Sequence, residues 1–282
     1  MAEEEVKDEI IEEIEEKESA GGVISEIVGE IPEEEELVEK IAKKTFDVGV
    51  WAPRTSLGKK VKSGEIKDID YILDNGYKIM ESEIVDALIP NLNSDFLLVG
   101  QSKGKFGGGQ RRVFRQTQKK TSEGNKPHFS TIAVVGNCNG YVGIGFGRSK
   151  ETVPAREKAL RNAKLNIMKI RRGCGSWQCG CGEPHTIPFK VEGKCGSVRI
   201  KLMPAPKGTG LCVEKEVAKI LKLVGIKDVW SKSLGQTRTK INLIYAVTDA
   251  LNSLIETKMK PIYKEKFGVC EGEIKQNKTN MM

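Results

Sequence analysis

The chain has 282 residues, of which 46 are Lys or Arg and 39 are Asp or Glu, for a formal net charge of +7. Its apolar runs are far shorter than the ~20 residues that cross a bilayer, and its acidic start does not resemble a secretory signal, so neither a membrane nor a secreted protein is expected. Seven cysteines without such a signal favour reduced thiols or metal ligands over disulfides.

The charge is distributed unevenly along the chain. Residues 1–40 contain 17 acidic and three basic residues, a net charge of −14, whereas the remaining 242 residues contain 43 basic and 22 acidic ones, a net charge of +21. A body this basic favours nucleic acid as a partner, because phosphates neutralised by Lys and Arg release counterions. Solubility alone, the alternative, does not require such an imbalance.

The first two segments are predicted to lie outside the main domains. Residues 1–36 form a low-complexity acidic tail, which is either a solvated arm or a shield for the basic body. Residues 37–94 form an extension with helical and extended parts. Within it the sequence predicts helices over 37–46 and 80–89, the second ended by Pro90.

Residues 95–172 are predicted to form an α+β domain with a three-stranded antiparallel sheet and one helix. A polar turn over 121–127 separates the first two strands, and Asn139-Gly140 marks a tight turn before the third. The strands are expected over residues 113–119, 128–136 and 141–147. Three strands followed by a helix, with basic loops, are typical of a double-stranded-RNA-binding fold.

The third strand carries an unusual face. Gly143, Gly145 and Gly147 lie on the same side, because side chains alternate along a strand. Another chain, a helix or a phosphate backbone could approach such a face closely. The helix that follows is predicted over residues 153–170. Its core-facing stripe consists of Leu160, Ala163, Ile167 and Ile170.

Basic residues cluster in and around this domain, beginning with the glycine-rich stretch at 103–109. Each could belong to a merely solvated surface, but their density favours an RNA-binding one. The residues expected to bind RNA are Lys103, Lys105, Arg111, Arg112, Arg115, Lys119, Lys120, Lys126, Arg148, Lys150, Arg171, Arg172 and Lys207.

The second half of the chain is predicted to contain a cysteine-rich linker at 173–186, a two-layer α/β domain at 187–260 and a polar tail at 261–282. The domain is expected to begin with two strands separated by a turn at 193–196. The predicted strands cover residues 187–191, 197–203 and 228–230. The predicted helices cover residues 214–224, closed by Gly225, and 241–254.

The linker holds Cys174, Cys179, Cys181 and His185 in the pattern Cys-x4-Cys-x-Cys-x3-His. Four such ligands suit a tetrahedral zinc ion that is structural, since no position is left open for water. Cys195 is the substitute ligand if His185 turns away. Chance clustering and a redox pair are the alternatives, although positions 179 and 181 are too close for an ordinary disulfide. The predicted role of zinc is to clamp the linker between the domains.

Five motifs occur in an order that resembles one family. They are the segments 133–147 (Ala-Val-Val-Gly-Asn-Cys-Asn-Gly-Tyr-Val-Gly-Ile-Gly-Phe-Gly), 153–155 (Val-Pro-Ala), 171–173 (Arg-Arg-Gly), 194–198 (Lys-Cys-Gly-Ser-Val) and 204–210 (Pro-Ala-Pro-Lys-Gly-Thr-Gly). Together they resemble the small-subunit ribosomal protein family five in its archaeal and eukaryotic form. The resemblance covers about residues 81 to 254, and the acidic tail and the glycine-rich stretch depart from it.

The resemblance implies a non-enzymatic protein of the small ribosomal subunit in the cytoplasm, with an RNA-binding first domain and a left-handed crossover in the second. It implies contact with small-subunit rRNA, neighbours from families four and eight, and a place behind the decoding centre near the mRNA entry path. Roles in decoding accuracy and subunit assembly follow from it. The segment 119–126 corresponds to the loop that reaches into rRNA.

An enzyme is the alternative from a different class. The segment 204–211 before a helix resembles the phosphate loop of small-molecule kinases, and amides at a helix N-terminus suit an anion. However, no Gly-Lys-Ser/Thr is present, and Cys212 stands where a hydroxyl is expected. The chain also has only two histidines, His128 and His185, so catalysis is not expected.

Overall fold

A computed structural model describes residues 51–102 and 109–273, all of which belong to one unit of mixed α and β structure. The expected acidic tail, the helix over 37–46, and the candidates Lys103 and Lys105 lie outside the described residues. Within the described ranges, no helix has the length and apolar character needed to cross a membrane.

Three short helices precede the first sheet within the described residues and form a small core of their own. Their buried residues include Ile72, Ile84 and Val85, which pack with Trp51 and with Tyr141 from the sheet. The helix expected over 80–89 is confirmed, although it is shorter. The helices are α1 (Ser56–Lys62), α2 (Ile69–Asp74) and α3 (Glu83–Leu88).

The first sheet has five antiparallel strands rather than the expected three. Its order is β1-β3-β4-β5, and the 13-residue strand β3 also pairs along its first half with β2. The sequence analysis missed the first and last strands of this order, which are short and lie at the two edges of the sheet. The strands are β1 (Asn93–Leu97), β2 (Arg115–Thr121), β3 (Gly124–Gly136), β4 (Tyr141–Ser149) and β5 (Ile167–Lys169).

Strands β2 and β3 form a hairpin that is tighter than the polar turn expected over 121–127. Thr121 pairs with Gly124, so that only two residues form the turn, and Lys119 pairs with Lys126. Gly124 has a φ of +113°, a conformation that side chains rarely adopt. The turn was expected within the right segment but too long, because both faces of this hairpin are solvated and its paired strands show no apolar alternation.

Helix α4 (Thr152–Leu165) ends five residues earlier than expected. Ile167 pairs with Gly143 at the open edge of β4, so the chain continues as β5 instead of as helix. The expected stripe through Ile167 and Ile170 was therefore wrong as a helical face. The buried face of α4 consists of Ala155, Ala159 and Ala163.

The second sheet has the order β7-β8-β10-β9, with only β9 and β10 parallel. The strand expected over 187–191 was wrong, since β7 begins only at Val191. The turn expected over 193–196 was wrong, because Gly193 lies within β7 and packs against the helix Lys240–Glu256. A Cβ at Gly193 would lie 2.0 Å from the Ala246 carbonyl oxygen, so this glycine permits close packing rather than a turn. The strands are β7 (Val191–Cys195), β8 (Val198–Pro204), β9 (Leu211–Cys212) and β10 (Val229–Leu234).

Two helices of this half confirm the sequence expectations. Helix α5 (Lys215–Val224) begins after Glu214, whose carboxylate accepts from the Glu216 backbone N–H, and ends at Gly225 with a φ of +89°. Helix α6 (Lys240–Glu256) buries Ile244, Val247, Leu251 and Leu254 on one face. Residues of α5 and of both sheets share one hydrophobic core, so the two halves are packed together.

The segment expected to be a polar tail is folded as far as residue 271. It contains helix α7 (Pro261–Lys266) and strand β11 (Cys270–Glu271), which pairs with β6 (Arg171–Arg172). The expectation failed because this segment lacks apolar periodicity and is held by backbone pairing. Residues 274–282 lie outside the described part of the chain.

Candidate metal centre and nucleic-acid interface

The four predicted metal ligands, which lie between β6 and β7 in the chain, form a cluster. Ligand atoms of Cys174, Cys179, Cys181 and His185 all lie within 4.8 Å of one another. Cys179 Sγ is 3.3 Å from Cys181 Sγ and 3.8 Å from His185 Nε2. In a tetrahedron with metal–sulfur distances of ~2.3 Å, ligand atoms are ~3.8 Å apart. The cluster therefore has the size that a zinc ion needs.

Cys195, the substitute ligand, is not part of this cluster. It ends β7 opposite Val198 and packs, partly buried, against the hydrophobic core. His185 does not turn away from the three thiols, so the geometry leaves no role for Cys195 as a ligand.

Backbone pairing closes the loop that carries the ligands. Gly173 and Thr186 exchange two hydrogen bonds, of 2.9 and 3.1 Å, at the two ends of the loop. The Cys174 N–H donates to the Phe267 carbonyl, at 2.8 Å, which ties the loop to the segment after α7. These contacts bring residues 174 and 185 close together without a metal.

Asp228 fixes the orientation of the His185 ring. Its Oδ2 lies 2.8 Å from His185 Nδ1, and both side chains are buried. An ionised carboxylate only accepts hydrogen bonds, so Nδ1 donates to Asp228, and Nε2, which faces the thiols, is the atom that would bind a metal. Metal-binding histidines commonly have such a carboxylate partner.

The thiols differ in acidity because their surroundings differ. Backbone N–H groups of Lys207 and Cys181 donate to Cys179 and lower its pKa to about 6, so this residue is a ready thiolate. Burial, together with the neighbouring thiols, raises the pKa of Cys174 to about 11. Three neighbouring thiolates would repel one another, and a divalent cation bound between them would offset this repulsion and stabilise all three.

The expected RNA-binding residues of the β2–β3 hairpin and its surroundings are exposed. The hairpin extends beyond the core of the first sheet. Most side chains of β2 and those of the first four residues of β3 face solvent. The exposed candidates are Arg112, Arg115, Lys119, Lys120, Lys126, Arg148, Lys150 and Lys207, while Arg111 is half-buried.

Arg171 and Arg172 require a correction, because both are buried and bonded within the protein. Arg171 donates to the Thr257 carbonyl, at 2.7 Å, and pairs with Glu271. Arg172 donates to Asn139 Oδ1, also at 2.7 Å. These two arginines hold the last folded segment and the β3–β4 turn, so we leave them out of the RNA surface.

A basic cleft between the two sheets contains residues that the sequence analysis missed. Arg111 and Arg115 face Arg238 and Lys240, at the start of α6, across a cavity of about 510 Å³. Lys240 is paired with Glu214 at 2.8 Å, whereas the three arginines have no ion pair among the described residues. The basic pair Arg238 and Lys240 before a predicted helix was the available signal.

The structure argues against the kinase-like phosphate loop. The segment 204–210 leads into strand β9, and α5 begins only at Lys215. The Glu214 carboxylate accepts from N–H groups at the start of α5, where a bound phosphate would have to lie. An anion is thus excluded from this helix terminus by a negative side chain.

Two packed α/β halves with a basic, solvent-facing surface define an RNA-binding structural protein. Residues 113–171 match the family model for the ribosomal protein S5 N-terminal domain, and residues 193–264 match that for the ribosomal protein S5 C-terminal domain. The chain belongs to the ribosomal protein S5 family, as its motifs indicated, and this membership makes it a non-enzymatic protein.

Archaeal relatives support this assignment over most of the chain. A protein named small ribosomal subunit protein uS5 from Nanoarchaeum equitans is 51% identical over 224 residues, which is 79% of this chain and 96% of that protein. Proteins of the same name from Methanocaldococcus jannaschii and Methanobrevibacter smithii are 48% and 47% identical over 230 and 225 residues. These alignments cover 81% and 80% of this chain and 99% of each relative.

Proposed function

We propose that this protein is a structural component of the small ribosomal subunit that binds rRNA through the β2–β3 hairpin and the basic cleft. The observation that carries the proposal is the hairpin, which exposes Lys119, Lys120 and Lys126 at its end, away from the core. Such side chains contribute little to folding but suit phosphate contacts. Its place in the cell is the ribosome in the cytoplasm.

Family membership supports a proposal for the position within the subunit. We expect the protein to lie behind the decoding centre near the mRNA entry path, beside proteins of families four and eight. There it contributes to decoding accuracy and to subunit assembly. The hairpin is the segment that enters rRNA.

The finer fold assignments belong to the same proposal. The order β2-β3-β4-α4 supports a double-stranded-RNA-binding fold for residues 95–172, and we propose a left-handed crossover for the domain at 187–260. The domain boundaries at 36, 94, 172, 186 and 260 stay predictions.

The cluster of three cysteines and His185 is proposed to hold one structural zinc ion. Its dimensions, the thiolate character of Cys179 and the carboxylate behind His185 support zinc. The ion would clamp the loop between the two halves of the chain.

A binding experiment with the hairpin tests the proposal. The variant K119A/K120A should bind small-subunit rRNA more weakly and should reduce the slope of log affinity against log salt by ~2, one unit for each lost phosphate contact. The control variant K59A/K60A removes two adjacent exposed lysines from α1. Equal slopes for the hairpin variant and the wild type would contradict the proposal.

A further inference from the structure

We infer that Asp228 is a positioning residue that couples metal binding at the cysteine–histidine cluster to the conformation of the 205–210 loop. The consequence is that the loop, which presents Lys207, binds RNA phosphate better when the metal is bound. This inference rests on the proposed function for both zinc and RNA, and it adds a link between them.

The two carboxylate oxygens of Asp228 are divided between the cluster and the loop. Oδ2 accepts from His185 Nδ1 at 2.8 Å, while Oδ1 accepts from the backbone N–H groups of Gly208, at 3.1 Å, and Gly210, at 2.8 Å. Asp228 is only 4% exposed, so water does not compete for these bonds. A ring held by a metal on Nε2 would therefore hold the carboxylate and, through it, the loop.

Lys207 provides a second connection between the loop and the cluster. Its Nζ lies 2.7 Å from Oε2 of Glu183, two residues before His185. Asp228 therefore holds the two glycines that follow Lys207, and Glu183 contacts Lys207 itself.

The loop itself needs an external restraint. Gly208 and Gly210 have φ values of +91° and +73°, and a Cβ at either position would meet no atom within 4 Å. Both glycines are therefore held by hydrogen bonds rather than by packing, and two of these bonds end on Asp228. Loss of the two bonds to Asp228 should therefore loosen the loop at both glycines.

The coupling between zinc binding and RNA binding is expected to be positive, and it acts in both directions. If zinc orders the loop and an ordered loop binds phosphate better, then RNA must raise the affinity for zinc by the same factor. No contact between RNA and the metal is required, because Asp228 and Lys207 transmit the effect.

The test uses the full-length variant D228N. Asparagine presents an amide N–H or an oxygen to Nδ1 and is no longer an ionised acceptor, so it cannot enforce the tautomer with a free Nε2. Zinc affinity, measured by competition with a chromogenic chelator, should fall ~10- to 100-fold. The control D249N alters an aspartate that also accepts from a backbone N–H, that of Lys194, and should bind zinc as the wild type does.

A second measurement on the wild type protects the test against misfolding of the variant. Amide hydrogen exchange at Gly208 and Gly210 should slow when zinc alone is added, and RNA affinity of the same preparation should rise. Equal exchange and equal RNA affinity with and without zinc would overturn the coupling, even if zinc and RNA both bind. Absence of zinc binding, or of RNA binding, by the wild type would instead overturn the proposed function on which the coupling rests.

Discussion

Gly145 of β4 lies directly against Ala163 of α4, so that a Cβ at Gly145 would be 2.1 Å from the Ala163 backbone nitrogen. Gly143 and Gly147 have the same relationship to Ala163 and Ala155, where a Cβ would lie 2.1 Å from each carbonyl oxygen. The glycine face of β4 therefore accommodates the alanine face of α4. The sequence left open whether another chain, a helix or a phosphate backbone approaches this face, and in the structure a helix packs against it.

The variant G145A should destabilise the protein. The added methyl group would meet helix backbone, which cannot rotate away, and overpacking of this kind costs about 1–3 kcal/mol or more. The free energy of unfolding in the metal-free protein, from denaturant titration, measures the effect. The control G180A adds a methyl group where no atom lies within 4 Å, and should change stability little.

Tyr141 should make stability depend on alkaline pH. Burial, followed by its hydrogen bond of 2.7 Å to Asp70, raises the pKa of its phenol above 10. The unfolded chain ionises near pH 10, while the folded chain keeps its proton, so this contribution is present below pH ~10 and is lost as the pH rises toward the folded pKa.

The variant Y141F separates this contribution from other alkaline effects. At neutral pH it should lower the free energy of unfolding by about 1–2 kcal/mol, because the hydrogen bond to a carboxylate is lost. The difference between wild type and variant should shrink above pH ~10. A constant difference across this range would contradict the assignment.

The variant R171A should affect folding rather than RNA binding. Arg171 bonds carbonyl groups at the end of α6 and pairs with Glu271, so its removal should cost about 1.5–3 kcal/mol. Because its side chain is buried, the salt dependence of RNA binding by the folded variant should equal that of the wild type. A shallower salt slope would show that Arg171 contacts phosphate after all.

Arg238 should contribute to RNA binding although the sequence analysis missed it. The variant R238A should reduce the slope of log affinity against log salt by ~1, since one phosphate contact is lost. The control R199A removes an exposed arginine from β8, away from the cleft. An equal reduction of this slope in both variants would indicate that RNA binds to a diffuse basic surface and not to the cleft.

Metal analysis tests the cluster directly. Purified protein should contain about one zinc per chain, and the variant C179S should contain much less, because a hydroxyl does not replace a thiolate as a zinc ligand. The control C212S alters an exposed cysteine outside the cluster and should leave the zinc content unchanged. Metal-free wild type whose stability does not change on chelation would contradict a structural zinc.

The sequence predicted those features that depend on local signals. Helix α5, with Glu214 before it and Gly225 after it, and the turn at Asn139-Gly140 are set by residues within a few positions. The four clustered ligands were also predictable, since they lie within twelve residues. The family was predictable because its motifs keep their order.

The failures concern contacts between distant segments. Ile167 leaves the helical pattern because the edge of β4 offers a partner, and Arg171 looks like a surface residue until α7 and β11 cover it. Asp228 is 43 residues from His185, so no local pattern connects them. In each case tertiary pairing overrides local preference.

Sedimentation of cell extracts in high salt tests the ribosomal role most directly. A structural protein that makes many contacts with rRNA phosphates should remain bound to the small subunit when loosely bound factors are washed off. Its amount should be comparable to that of the other proteins of the subunit. Recovery of the protein in the soluble fractions, with small subunits that are otherwise complete, would contradict the role proposed for it.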